Sequence, residues 1–172
     1  MPHVFLRTGL VVAAIMLAGL PATGRTEDAT TADLAGVTTV RIATNQTTPD
    51  AMSCGLDLGR LLPVLSDGLR AGGLAVDPAA DVTVALTMLT GYDAATGVCA
   101  TAPMLGTYRR ISYFDKAVGW LRSGHVVLWQ RGTTATSAIA NHDSLVRRAI
   151  TDLSEALLTS WRSANGGGLA NR

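Results

Sequence analysis

Two histidines, His125 and His142, are the first residues to consider for catalysis or metal binding, because imidazole changes its charge near neutral pH. His142 is followed by Asp143 and Ser144, which completes the residue types of a hydrolase triad. Consecutive residues at the start of a helix cannot adopt the relay geometry, which depends on position in space. We therefore favour a helix-capping role for them. The elements predicted below place the two histidines at opposite ends of a sheet, which argues against a shared metal site.

Other motifs for catalysis or cofactor binding are weaker. Gly166–Gly168 is followed by no helix, so it does not fit a phosphate-binding loop. Asp50, Asp57 and Asp93 could cluster at one end of the sheet, although acidic loop residues are usually only solvated. We expect no catalytic, cofactor-binding or metal-binding residues, and no cofactor. A small periplasmic hydrolase, with a site in the loops near the two cysteines, is kept as an alternative.

Cys54 and Cys99 are the two cysteines of the chain. In an oxidising compartment an isolated pair is most simply a disulfide. Two free buried thiols are the alternative. The absence of a Cys-x-x-Cys pair argues against a thiol oxidoreductase.

The first 24 residues have the pattern of a secretory signal peptide. His3 and Arg7 form a short basic start, the apolar run Leu10–Leu20 follows, and small residues precede a cleavage site after Gly24. A membrane anchor would need about 20 apolar residues, roughly twice the length of this run. The sequence therefore predicts cleavage and a periplasmic protein, with peripheral attachment at the outer membrane left open.

Leu17–Leu20 is similar to a bacterial lipoprotein signal, except that Leu20 stands where the lipidated cysteine would be. Lipid attachment at this position is therefore excluded.

A formal net charge of +1 gives no sign of a nucleic-acid-binding surface. A hydrophobic content of 48% indicates a packed core and argues against general disorder.

Hydrophobic periodicity predicts the order strand, helix, three strands, helix. The predicted elements are a strand at 37–44, a helix from Asp57 to Gly72, strands at 82–88, 107–121 and 126–138, and a helix capped by Asn141 or Asp143 with Val146, Ile150, Leu153, Leu157 and Trp161 on its apolar face. We predict one domain over 37–162, between a flexible segment at 25–36 and a disordered tail at 163–172.

This order predicts an α+β two-layer sandwich, in which both helices lie on one face of a four-stranded mixed sheet. A helix returns the chain between the first two strands, so those strands run parallel. The loops that follow them then lie at the same end of the sheet. Because these loops contain Cys54 and Cys99, the topology supports the disulfide.

The last two strands are predicted to form a hairpin with its turn at Ser123–Gly124. This register pairs Trp120 with Val127 and Val118 with Trp129. Both faces of the hairpin are then apolar, while the helices can cover only one. The sequence therefore predicts a candidate partner surface formed by these four side chains.

Two alternatives to an exposed surface stay open. A folded-over terminus could cover the second face of the hairpin. A bulge near Asp115 could instead turn Trp120 and Trp129 into the core.

Three short stretches carry a resemblance to a known group of proteins: Leu69–Leu74, Ala80–Leu86 and Gly124–Trp129. They resemble small bacterial periplasmic lipoproteins, which include the lipopolysaccharide-assembly lipoprotein and auxiliary lipoproteins of ABC-type transport systems. The resemblance covers roughly Val37 to Trp161 and implies a noncatalytic envelope adaptor with no catalytic residues to carry over. The chain departs from that group at Leu20 and in its cysteine pair.

Taken together, these features predict an exported periplasmic binding or adaptor protein that is not an enzyme. Its expected partner is an envelope protein or a lipid-like ligand, not a nucleic acid. We expect no transmembrane span in the mature chain and allow for a homo-oligomer. A secreted inhibitor of a cell-wall-degrading enzyme is the first alternative, and the periplasmic hydrolase is the second.

Overall fold

The fold is taken from a computed structural model, which describes residues 31–44 and 48–166. A 3₁₀ turn at Thr31–Leu34 precedes strand β1 (Thr39–Thr44), and the other strands are β2 (Ala75–Val76), β3 (Val82–Asp93), β4 (Val98–Asp115), β5 (Trp120–Gly132) and β6 (Ala135–Ala138). The helices are α1 (Asp50–Ser53), α2 (Leu58–Ala71) and α3 (Ile139–Gly166).

The strands form one mixed sheet of six, in the order β2-β1-β3-β4-β5, with β6 paired to the start of β4. β1 runs parallel to β2 and β3, and the other pairs are antiparallel. The α+β class and the parallel first crossover are confirmed. The four-stranded sheet is wrong, because β2 adds a short edge and the predicted strand 126–138 is broken at Thr133–Thr134 into parts of two strands.

The two long helices contact each other over one hydrophobic core. Alternate side chains of β3 face this core, and α2 and α3 supply aliphatic residues at helical spacing. The fully buried members include Val84, Leu86, Met88, Leu105, Leu61, Leu65, Leu69, Val146, Ile150 and Leu157. Burying one such side chain completely contributes about 1.5–3 kcal/mol.

Local sequence signals set the ends of α2 as predicted. The Asp57 carboxylate accepts from the backbone N–H of Gly59 at 2.8 Å, which caps the first turn. Gly72 closes the helix, and a Cβ there would lie 2.3 Å from a methyl group of Leu158. The glycine therefore allows α2 and α3 to approach closely. Pro63 lies inside the helix, which begins at Leu58.

Two hairpin turns have the same construction. In the β3–β4 turn the N–H of Gly97 donates to the carbonyl of Asp93, whose side chain accepts from Ala95. In the β4–β5 turn Gly119 and Asp115 repeat the pattern. Both glycines have positive φ, +66° and +72°, which glycine adopts without the steric cost of a Cβ.

The second of these turns corrects the predicted hairpin register. Ser123 and Gly124 lie inside β5, opposite Ser112 and Ile111, and are not a turn. The turn lies at Lys116–Gly119, where the Asp115 carboxylate holds the backbone N–H of Ala117 at 3.0 Å.

The bulge also lies elsewhere than predicted. It falls beside Thr107 and Tyr108, and not near Asp115. Thr107 lies opposite Trp129, while Tyr108 lies opposite Val127, so Leu128 is the extra residue of β5.

Both ends of the described chain are more ordered than predicted. Leu34 is 1% exposed within the predicted flexible segment 25–36. The Asn165 side chain accepts from the Gly36 N–H and donates to the Leu34 carbonyl. Trp161 Nε1 donates to the Val37 carbonyl at 2.6 Å. Helix α3 ends at Gly166, so it includes the first four residues of the predicted tail 163–172. The predicted signal peptide 1–24 lies outside the described residues.

Candidate functional site

The Cys54–Cys99 disulfide is present, with Cα atoms 5.9 Å apart and both residues fully buried. Cys54 caps the C-terminus of α1, and Cys99 is the second residue of β4. The segment from Thr48 to Cys54, which contains α1, is also held to β3 through Thr48. The Thr48 hydroxyl accepts from the Thr90 N–H at 2.9 Å and donates to the Thr90 carbonyl. The prediction is confirmed, and the bond joins the α1 segment to the sheet.

Asp50, Asp57 and Asp93 each have a separate structural role. Asp50 accepts from the Tyr92 N–H at 3.3 Å, and Asp57 caps α2. Asp93 accepts from Thr96 Oγ1 at 2.6 Å, and this hydrogen bond is the main reason that its pKa is lowered. Within 31–44 and 48–166, no three histidine, cysteine or acidic side chains are grouped so that they could hold a metal.

The hydrolase alternative requires a site among the loops near the disulfide. A recess of about 340 Å³ lies there, beside α1, lined mainly by Met52, Leu56, Leu58 and Met88. Its carboxylate is that of Asp57, which is already engaged in capping α2. The geometry at this end of the sheet therefore supports an apolar surface depression rather than converging acid and base groups.

His142 belongs to a buried polar chain, which the sequence did not predict. Its Nε2 lies 2.8 Å from Thr101 Oγ1, which lies 3.0 Å from Thr90 Oγ1. Its Nδ1 lies 3.1 Å from Ser137 Oγ. The chain joins β3, β4, β6 and α3, and its members Thr90, Thr101 and His142 are buried, whereas Ser137 is half-buried.

The capping role proposed for residues 142–144 is corrected, since α3 begins earlier, at Ile139. Asp143 accepts from Arg147 Nε at 2.8 Å, while Ser144 Oγ donates to the Asn141 carbonyl. Ser137 and His142 have the spacing of a nucleophile and its base. The group that would orient such a base is here the Thr101 hydroxyl and not a carboxylate, so the pair lacks the usual activating charge.

Burial gives His142 a pH-dependent effect on stability. Removal from water lowers its pKa, against a smaller opposing effect of Asp143. The folded protein therefore keeps a neutral imidazole at pH values where the unfolded chain takes up a proton, below about 6.5. The free energy of unfolding should fall as pH decreases from about 6.5, because the unfolded state then binds more protons.

Urea unfolding at several pH values between about 7.5 and 5 measures this dependence. His142→Gln should flatten the slope, because it removes the buried imidazole. Equal slopes in the wild type and His142→Gln would show that His142 does not titrate as its surroundings imply.

The β4–β5 hairpin extends beyond the rest of the sheet. Pairing with β3 ends at Arg109, opposite Val82. From Arg110 to His125, the two strands pair only with each other. We call the part beyond the bulge, Tyr108–Val127, the arm.

The arm concentrates exposed apolar side chains. Eight of the eleven large hydrophobic residues that are exposed in the described chain lie on it: Ile111, Tyr113, Phe114, Val118, Trp120, Leu121, Val126 and Val127. Trp120 is 72% exposed and Leu121 is 77% exposed. Phe114 lies opposite Leu121 on one face, whereas Trp120 lies one residue along β5 and so points to the other face. The arm is therefore apolar on both faces.

The arm is also cationic. It carries Arg109, Arg110, Lys116 and Arg122 against a single acid, Asp115. These are four of the eleven lysines and arginines, and one of the eleven acidic residues, in the described ranges. Asp115 forms an ion pair with Arg122 at 3.1 Å. The arm thus has a net charge of +3, and the rest of the described chain has an equal negative charge.

The four side chains of the predicted partner surface do not lie together: three are exposed on the arm, and the fourth is buried. Val118, Trp120 and Val127 are exposed on the arm, but Trp129 is 5% exposed and its Nε1 donates to Ser160 Oγ at 3.1 Å. The placement of Trp129 on the surface is therefore wrong, because the bulge turns this part of β5 toward α3.

Three apolar members of the arm, Ile111, Tyr113 and Phe114, were not predicted from the sequence. Their signal was a dense run of large apolar residues around the Asp115 turn.

No helix among the described residues is both long and apolar enough to cross a bilayer.

No protein-family model and no curated protein matches the chain. The chain is similar to the structure of a PelC dodecamer from Paraburkholderia phytofirmans, with 18% identity, a TM-score of 0.41, and coverage of 67% of this chain and 85% of that chain.

Two further solved structures are similar at the same low level. A point variant of the PelC dodecamer from the same organism has 17% identity and a TM-score of 0.43, with 72% of this chain and 89% of that chain covered. A neuraminyllactose-binding hemagglutinin homolog from Helicobacter pylori has 12% identity and a TM-score of 0.21, with 74% and 86% covered.

Proposed function

We propose that the protein is a noncatalytic binding protein of the cell envelope, and that it engages its partner through the arm. The observation that carries the proposal is the concentration of eight exposed large apolar side chains on a ribbon two strands wide. Contiguous exposed apolar surface on this scale marks an interaction site, since it is unfavourable in water. Tryptophan, tyrosine and arginine, all present on the arm, are also the residues that dominate binding energies.

Two features support the assignment to the envelope. The Cys54–Cys99 disulfide supports an oxidising compartment, where such bonds form and persist. The predicted signal peptide 1–24 and the resemblance to small periplasmic lipoproteins point to the same compartment, and we propose membership of that broad group on these grounds.

A secreted inhibitor of a cell-wall-degrading enzyme is the second candidate. It is favoured by one feature, the narrow arm that ends in the turn Lys116–Gly119, because an inhibitor must insert a projection into an active-site cleft. Inhibition of a muramidase by the wild-type protein, lost on substitution in this turn, would favour the inhibitor over an adaptor.

Sedimentation with isolated bacterial envelopes tests the proposed function. The double variant Phe114→Ser/Leu121→Ser removes a facing apolar pair from the arm, while its exposed position leaves the core intact. We expect it to bind at least tenfold more weakly than the wild type. Leu89→Ser is the matched control, because Leu89 is 57% exposed on β3, outside the arm.

The control should bind as the wild type does, and all three proteins should have the same thermal midpoint. Equal binding by the double variant would show that the arm is not the binding surface.

A further inference from the structure

We propose that the arm binds the surface of an anionic lipid bilayer, with its apolar tip at the boundary between headgroups and acyl chains. This inference rests on the proposed function, since it names the partner class for the same arm. Three properties of the arm support it: the distribution of its apolar side chains over both faces, the residue types at its tip, and its charge.

The apolar side chains lie on both faces of the arm. Phe114 and Leu121 form a facing pair on one face, while Tyr113 and Trp120 belong to the other. A flat protein partner would cover one face and leave the second in water. A lipid interface surrounds the inserted tip, so it removes both faces from water at once.

The residue types suit the interfacial region. Tryptophan and tyrosine concentrate at the level of the headgroups, because their rings are apolar and their N–H or O–H groups remain hydrated. On the arm, Trp120 and Tyr113 fill this role beside the purely apolar Phe114 and Leu121. Peripheral segments of this kind bury their apolar side about 5–10 Å into the headgroup and acyl boundary.

The charge of the arm is complementary to an anionic surface. Arg110 lies four residues from Phe114 along β4, about 13 Å at the rise of an extended strand. The Asp115 carboxylate is neutralised by its pair with Arg122. Lys116 has a long apolar stem, which lets its ammonium reach the headgroups from the tip. Electrostatic attraction of such basic groups to anionic lipids adds to the apolar contribution.

Acidic residues lie near the base of the arm, where β4 ceases to pair with β3, and they limit the extent of the positively charged surface. Asp77 and Asp81 line a recess of about 460 Å³ with Arg109 and Arg110, where the arm leaves the sheet. The base therefore has mixed charge, and the part of the arm beyond Arg110 carries Lys116 and Arg122 against Asp115, a net charge of +1. The membrane-facing surface is accordingly the outer arm rather than the whole domain.

The backbone of the arm sets the depth of binding. From Arg110 to His125 each strand of the arm pairs on one side only, so its outer edge presents unpaired N–H and C=O groups. Such groups cannot be left unsatisfied in the hydrocarbon core, but they remain hydrated among the headgroups. We therefore infer reversible, interfacial binding and not a spanning hairpin.

Vesicle binding tests this inference directly. The processed protein is mixed with vesicles of phosphatidylglycerol and phosphatidylethanolamine, or of phosphatidylcholine alone, and bound protein is measured by sedimentation. We expect binding to the anionic vesicles, at least tenfold weaker binding to the neutral ones, and loss of binding in high salt. Phe114→Ser/Leu121→Ser should abolish binding, and Leu89→Ser should not.

Tryptophan fluorescence gives a second readout. Of the described tryptophans, Trp120 is exposed, Trp129 is buried and Trp161 is half-buried. Brominated lipids should therefore quench mainly Trp120, and the conservative variant Trp120→Phe should lose this quenching while it still sediments with anionic vesicles. Quenching that persists in Trp120→Phe would contradict insertion of the arm tip.

The outcomes separate the two proposals. If the protein binds isolated envelopes through the arm but neither type of vesicle, the lipid inference is overturned in favour of a protein partner, and the proposed function stands. If the double variant binds envelopes as the wild type does, both proposals fail. Equal binding to anionic and neutral vesicles would overturn the electrostatic part of the inference.

Discussion

Replacing Trp129 with alanine is expected to lower the free energy of unfolding by about 3–5 kcal/mol, the usual cost of truncating a buried large aromatic side chain. Trp129 is 5% exposed, and its indole N–H donates to Ser160 of α3. Truncation would open a cavity between β5 and that helix and leave the serine without this partner. Chemical denaturation monitored by far-UV circular dichroism measures the effect.

Trp120→Ala provides the matched control, because Trp120 lies on the same strand and is 72% exposed. We expect a change within about 0.5 kcal/mol for an exposed position of this kind. Similar losses for the two variants, or a larger loss for Trp120→Ala, would contradict the observed register of β5 and with it the position of the arm.

Removing the disulfide with Cys54→Ala/Cys99→Ala should cost about 4 kcal/mol, the chain-entropy value for the loop closed by a bond across a sequence separation of 45. The bond holds the α1 segment against the start of β4, so hydrogen exchange should rise first in the segment 48–56. Urea denaturation of the oxidised wild type and the double variant gives the difference.

A reducing agent serves as the control for this experiment. It should lower the stability of the wild type toward that of the double variant and leave the double variant unchanged. A wild-type protein whose stability is the same with and without the reductant would show that the bond contributes nothing.

Local sequence signals were sufficient to predict structure where a residue acts within its own segment. Asp57 marks the start of α2 because it acts on neighbouring backbone, whereas Gly72 at its end is required by the contact with Leu158 of α3. The disulfide followed from topology, because a parallel crossover brings the ends of β1 and β3 together.

The hairpin shows where local reasoning failed. Ser123–Gly124 has the composition of a two-residue turn, but Asp115 and Gly119 form a longer turn that holds its own backbone amides. The repeat of Asp-x-x-x-Gly at Asp93–Gly97 is a signal that the sequence does contain. This repeat correctly marks the last residues of β3 and β4, Asp93 and Asp115.

Other features depend on contacts between distant parts of the chain. The burial of Leu34 requires Trp161 and Asn165 to return from α3, more than 120 residues later. The His142 chain likewise requires three strands and a helix to be in place. The bulge at Leu128, which separates buried Trp129 from the exposed arm, has no distinctive local sequence pattern.

Full binding curves on isolated envelopes, measured for the wild type and for Phe114→Ser/Leu121→Ser, show whether the arm is the binding surface. We expect the midpoint of the double variant to shift by at least tenfold to higher concentration, while that of Leu89→Ser coincides with the wild type. Coincident curves for the wild type and the double variant would contradict the assignment of the arm as the binding surface.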